Sequence, residues 1–193
     1  MTSHRKLVIA LCILMAAVSW QSALALAKAK PEIFGYRICD HSKPSKMEAI
    51  EKRFGKTYMS EQFAHSSSPI YRTSDNTAYL VFGWADCGME TIMVAKVLPK
   101  GSVIPKSAPI RKIKIASSQV KASYGVALGD TQSHVRKLAG TPTYSNREGN
   151  ETNWQYVDRW HLPQDGKRFP MTLLEITFIK GRAVRLWAKC QEI

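Results

Sequence analysis

The run Asp130-Thr131-Gln132-Ser133-His134-Val135-Arg136-Lys137-Leu138-Ala139-Gly140-Thr141-Pro142 contains a helix together with both of its boundaries. It opens at Asp130-Thr131, where short polar side chains favour a helix start. Val135, Leu138 and Ala139 follow at the three- and four-residue spacing that lines one face. Gly140 suits the left-handed residue past a helix end, and Pro142 blocks continuation. Beyond it, Asn153 to Trp160, Leu173 to Ile179 and Ala183 to Lys189 read as strands, the last two joined by a tight turn at Lys180-Gly181. The unit is therefore a helix followed by an antiparallel meander, which predicts an α+β fold.

The same order occurs upstream. Ser45-Lys46-Met47-Glu48 has the form of a capping box, Met47, Ile50 and Phe54 recur at helical spacing, and Gly55 ends the pattern. Strand signals follow at Ile70 to Thr73, Ala78 to Trp84 and Thr91 to Val97, with a turn at Asp86-Cys87-Gly88. Sliding the first half by 85 residues sets Ile50 on Val135, Gly55 on Gly140 and Tyr71 on Tyr156. The later strands match after an insertion around 162–170. The expected organisation is a leader at 1–27, a first α/β unit at 31–98, a basic linker at 99–121 and a second unit at 122–193. The helices would pack on one face of the sheet.

The leader is read from its own chemistry. Arg5 and Lys6 precede an apolar run from Leu7 to Trp20, and Ala23-Leu24-Ala25 and Ala25-Leu26-Ala27 are small-x-small cleavage sites. A cut after Ala25 or Ala27 is expected, with export to the periplasm or the exterior. Retention of the segment as an anchor is the alternative, since it is long enough to span a bilayer. The chain carries a formal net charge of +13, and cleavage removes two of those cations to leave +11. Such a charge favours anionic partners: an acidic protein, a lipid headgroup or a polysaccharide. Export disfavours nucleic acid in that role. From Ala95 to Lys121 there are seven basic residues and no acidic one, among them Arg111, Lys112 and Lys114. This stretch reads as a solvated connector with a short strand at Ile110 to Ile115, or as an arm that docks on an anionic surface.

Cys39, Cys87 and Cys190 lie beyond the leader, so one intramolecular disulfide leaves one thiol over. Cys87 at a hairpin turn and Cys39 before the first helix fall at one edge of the sheet on the repeat reading, which favours a Cys39–Cys87 bridge. Three buried thiols are the alternative.

Tyr124-Gly125-Val126-Ala127-Leu128-Gly129-Asp130-Thr131, then Val135 and Gly140-Thr141-Pro142-Thr143, form a recognisable cadence. With Trp154 to Tyr156, Leu174 to Phe178 and Gly181-Arg182-Ala183-Val184, this stretch resembles the SmpA/OmlA small-protein family and its β-lactamase-inhibitor-protein-like relatives. The resemblance covers roughly 122–187. It implies exported domains of one or two helices laid on an antiparallel sheet, used to bind other proteins, with tandem duplication among the inhibitors. The chain lacks the lipid-bearing cysteine of the lipoprotein members. No inhibitor contact residue maps onto it.

No constellation with a catalytic mechanism is present. His41, His65, His134 and His161 lack the short ligand spacings of a zinc site, and no nucleophile elbow, P-loop or H-E-x-x-H occurs. No metal or cofactor is expected. Strand alternation places Leu174, Ile176, Phe178, Val184 and Leu186 on the helix-covered face. It places Glu175, Thr177, Arg185, Trp187 and Lys189 on the other. A Trp flanked by cations on an open sheet face supplies the kind of surface that binding hot spots use. The reading is an exported, non-catalytic binding protein that makes contact through Glu175, Arg185, Trp187 and Lys189 and through Arg111, Lys112 and Lys114. A thiol-dependent envelope enzyme or redox protein using Cys87 is the rival, and an anchored structural protein is a third possibility.

Overall fold

Alternation of buried and exposed positions builds most of this molecule. In a computed structural model, residues 32–38, 47–63, 68–85, 88–158 and 171–191 are described. They form short strands β1 (Glu32–Ile33) and β2 (Tyr36–Arg37), then helix α1 (Met47–Phe54). Strands β3 (Tyr58–Ser60), β4 (Ser68–Arg72), β5 (Tyr79–Ala85), β6 (Gly88–Ala95) and β7 (Arg111–Lys112) follow. The second half holds helix α2 (Gln132–Ala139) and strands β8 (Tyr144–Glu148), β9 (Glu151–Asp158), β10 (Met171–Ile179) and β11 (Arg182–Gln191). The fold is α+β, with a nine-stranded, mostly antiparallel sheet in the order β3-β4-β5-β6-β11-β10-β9-β8 and β7 added in parallel to β4.

That order reads as two helix-plus-four-strand runs meeting at β6 and β11, whose pairing runs from Arg185↔Ala95 to Lys189↔Thr91. Each meander thus has four strands, not the expected three. The extra members, β3 and β8, are short or wholly exposed and show no apolar alternation.

Both helices end as their sequences dictate. In α2, the Thr131 hydroxyl accepts the His134 amide, and Gly140 closes the last turn at φ +78° with its amide on the Arg136 carbonyl. In α1, Gly55 does the same at φ +82° with its amide on the Glu51 carbonyl. Ile50 and Val135 are completely buried beneath the helices. The tight turn between β10 and β11 holds Lys180 at φ +50° and Gly181 at φ +72°, the sign pattern that two-residue hairpin turns require.

The main core lies between the helices and one sheet face. It unites Tyr71, Phe82 and Trp84 from the first run with Trp154, Leu174, Ile176, Phe178 and Leu186 from the second. The expected inward Val184 is instead half-buried and outside this cluster. A register shift between Thr177 and Phe178 pairs Phe178 with Ala183, so Ala183 takes the inward place.

The basic segment is not a solvated connector. Leu98, Ile104 and Ile110 pack on the opposite sheet face against Phe63, Ile70, Val81 and Met93. The chain then crosses the sheet edge as β7 and continues on the helix face, where Ile113, Val120 and Val126 join the main core. Residues 99–121 form a belt around the β3/β4 edge. Asp75 pins its far side: its carboxylate accepts from the Thr73 and Ser117 hydroxyls at 2.6 and 2.7 Å and from the Ser117 and Thr77 amides.

Candidate functional site

Two groups of residues carry the expected binding chemistry, and the fold treats them differently. Glu175, Thr177, Arg185, Trp187 and Lys189 do share the face opposite the helices. Glu175 stands beside Trp187, and Thr177 beside Arg185. The face is closed, however. The side chains of Arg185, Glu175 and Lys189 keep 8%, 12% and 26% of their exposure. Glu175 Oε2 accepts from Lys189 Nζ and from Gln155 Nε2, each at 3.1 Å. Lys189 Nζ lies 3.6 Å from the Trp187 ring centroid, and the indole N–H donates to the Thr91 hydroxyl. Burial depresses the Lys189 ammonium below its ordinary value, against the opposing pull of Glu175. These groups are consumed by one another, so this surface is a buried polar network rather than a set of free anchors.

The linker residues are the open set. β7 lies beside the upper half of β4, with Tyr71↔Arg111 and Arg72↔Lys112 as partners. The Ile113 amide donates to the Arg72 carbonyl at 2.9 Å, and the Arg111 amide to the Thr57 hydroxyl at 2.9 Å. Strand alternation sends Ile113 into the core and leaves Arg111, Lys112 and Lys114 exposed. Arg111 lies over the helix-ending glycine. A Cβ at Gly55 would come within 2.6 Å of Arg111 Cζ, so this turn needs glycine for the close approach as well as for its backbone.

Arg53, from the last turn of α1, completes the group. Its guanidinium donates to the Tyr36 hydroxyl at 2.8 Å and lies 4.8, 5.4 and 5.1 Å from the Phe34, Tyr36 and Phe54 ring centroids. Arg53, Arg111, Lys112 and Lys114 surround a groove of about 410 Å³ floored by Phe54, Ile113 and Ile115. Among the described residues, none of the four cations has a carboxylate within ion-pair distance. Beneath them the Tyr71 hydroxyl, its pKa pushed up to about 12 chiefly by burial, donates to the Gly55 carbonyl at 2.9 Å.

The sequence pointed to Arg111, Lys112 and Lys114 but missed Arg53. In sequence Arg53 looks like an ordinary cation in a helix's last turn. Nothing local indicates that the belt returns to meet it.

No family model and no curated protein matches the chain. Its fold has a distant neighbour. A solved structure of an extracellular protein containing a SCP domain, from Bacillus anthracis, is similar over 76% of this chain at 12% identity and a TM-score of 0.40. The match spans 43% of that protein, less than half of its length.

Cys39 and Cys87 lie outside the described residues, as do His41, His65, Trp160 and His161. Cys190 is disulfide-bonded. A Cys39–Cys87 bridge is compatible with that bond only if Cys190 joins a cysteine other than these two. Among the described residues no group of three His, Cys, Asp or Glu side chains converges. No helix there is long and apolar enough to cross a membrane.

Proposed function

We propose that this is an exported, non-catalytic binding protein that holds an anionic envelope component in the groove between α1 and β7. The observation that carries the reading is the convergence of four exposed cations from two distant segments over an apolar floor. Arg53 is braced by three aromatic rings and Arg111 by the glycine turn, so two guanidinium forks are held in place before a ligand arrives. Lys112 and Lys114 add mobile charge at the rim. An oxyanion-bearing ligand with an apolar or sugar-ring body fits this lining: a sulfated, phosphorylated or carboxylated chain. The leader and the mature charge support a site of action outside the cytoplasm.

The architecture behind the groove is a tandem repeat on this reading, in keeping with the resemblance to β-lactamase-inhibitor-protein-like folds. Gly55 and Gly140, Tyr71 and Tyr156, and Ile50 and Val135 keep the offset of 85 and occupy matching places. The Tyr156 hydroxyl donates to the Gly140 carbonyl at 3.2 Å, as Tyr71 does to Gly55, and burial lifts its pKa to about 12 as well.

Retention on a dextran sulfate column tests the site. The triple substitution Arg53→Ala, Arg111→Ala, Lys112→Ala should elute at clearly lower salt than a control with three cations removed elsewhere, such as Lys137, Arg147 and Lys180. Equal elution of the two variants would assign retention to net charge and remove the groove from the argument.

A further inference from the structure

The two halves differ where they would be expected to match. Beside β4, the edge beyond β3 is filled by β7, and Arg111 occupies the space above Gly55. At the equivalent place in the second half, the pairing of β8 with β9 stops at Tyr144↔Gln155. Above Gly140, which has nearly the same backbone as Gly55, no atom of the described residues lies within 4 Å of where a Cβ would be. The edge polar groups here are arranged for a neighbour: the Val157 amide rests on the Thr143 hydroxyl at 3.1 Å, and the Thr143 amide on the Gln155 carbonyl at 2.8 Å. Thr57 plays a comparable part in the first half, touching the Ile70 carbonyl at 2.5 Å while receiving the Arg111 amide. The first half thus contains the seated strand that the second half lacks.

Charge identifies what would sit there. In the first half the helix residue one turn before the glycine is Glu51, which faces Tyr71 together with the seated Arg111. In the second half that helix position is Arg136, exposed, with its guanidinium 5.2 Å from the Trp154 ring centroid and close enough to act on Tyr156. The acid of one cradle is a base in the other, so the complementary occupant changes sign. We infer that the β9 edge at Tyr156–Val157 receives an extended, acidic segment of a partner protein, added in parallel, with a carboxylate above Gly140 facing Arg136. Main-chain hydrogen bonds would supply the affinity and the carboxylate the selectivity, as in other cases of strand addition.

This surface is separate from the anion groove, and its test can tell the two apart. Two heptapeptides serve as probes, one with the chain's own sequence from Pro109 to Ile115 and one carrying Arg111→Glu. Each is titrated into the full exported protein while backbone amide shifts are followed. The Arg111→Glu peptide should move the Tyr156 and Val157 amides and bind about fivefold or more tightly than its parent. Arg136→Glu, an exposed change that leaves the thermal melt in place, should exchange that preference. Equal affinity for both peptides, shifts confined to α1 and β7, no shift with either, or a preference unmoved by Arg136→Glu would each overturn the inference. Loss of polyanion retention in the groove variants, with this edge unaffected, would show that the two sites stand or fall independently.

Discussion

Gly55 and Gly140 have the same backbone and different neighbours, and substitution separates the two effects. Alanine at either position forces a side chain into the left-handed region, at a cost of about 1–2 kcal/mol in unfolding experiments. At Gly55 the new methyl also meets the Arg111 guanidinium. That group sits at the end of a flexible chain and swings aside, so the additional loss is functional. Gly55→Ala should lower dextran sulfate retention, whereas Gly140→Ala should leave it unchanged at comparable loss of melting temperature. In the sheet-face network, Lys189→Met strands the nearly buried Glu175 carboxylate and should destabilise by about 2–4 kcal/mol. Lys189→Met combined with Glu175→Gln removes the unpaired charge and should recover much of that loss, as a double-mutant cycle in urea would show. Alternation alone revealed which residues share this face. It could not reveal that they consume each other's hydrogen bonds, because Gln155, Thr91 and Glu151 come from strands far off in sequence.

At the scale of elements, polarity decided what could be read. Both helices and the inner strands β4–β6 and β9–β11 carry apolar periodicity because each buries a face. β8, Tyr-Ser-Asn-Arg-Glu, buries nothing and is held by its ladder to β9, so it leaves no periodic trace. The belt was misread for the opposite reason. Prolines, serines and lysines give it the composition of a connector, while Leu98, Ile104, Ile110, Ile113 and Val120, spaced without period, do the packing. The Asp75 anchor of this belt is acid-sensitive. Its hydrogen bonds, led by that from Thr73, hold the carboxyl well below the ordinary aspartate range. The resulting stability is fully present above the unfolded aspartate value near 4 and is lost as pH falls from there toward the folded value. Asp75→Asn should therefore flatten the acid limb of a stability-against-pH curve between about pH 5 and pH 2 while leaving its shape near pH 7 unchanged.

For the whole molecule, the β6–β11 ladder merges two helix-and-meander runs into one sheet with a continuous core. Such a structure has no internal boundary at which half could melt alone. Tryptophan fluorescence and far-ultraviolet circular dichroism should therefore trace a single coincident urea transition. Cys190 lies near the end of β11 beside this seam, so Cys190→Ser should lower stability by about 2–4 kcal/mol without reductant and change it little with reductant present.

The position of β11 has a bearing on biosynthesis. It is the latest made of the described strands, yet it stands mid-sheet, flanked by β6 and β10. Until it is made, the two sets of strands have nothing to join them, so a growing chain lacks the piece that would close its core. The polypeptide consequently stays threadable throughout translation, the condition a narrow secretion channel imposes, and acquires its rigid shape after passage rather than before.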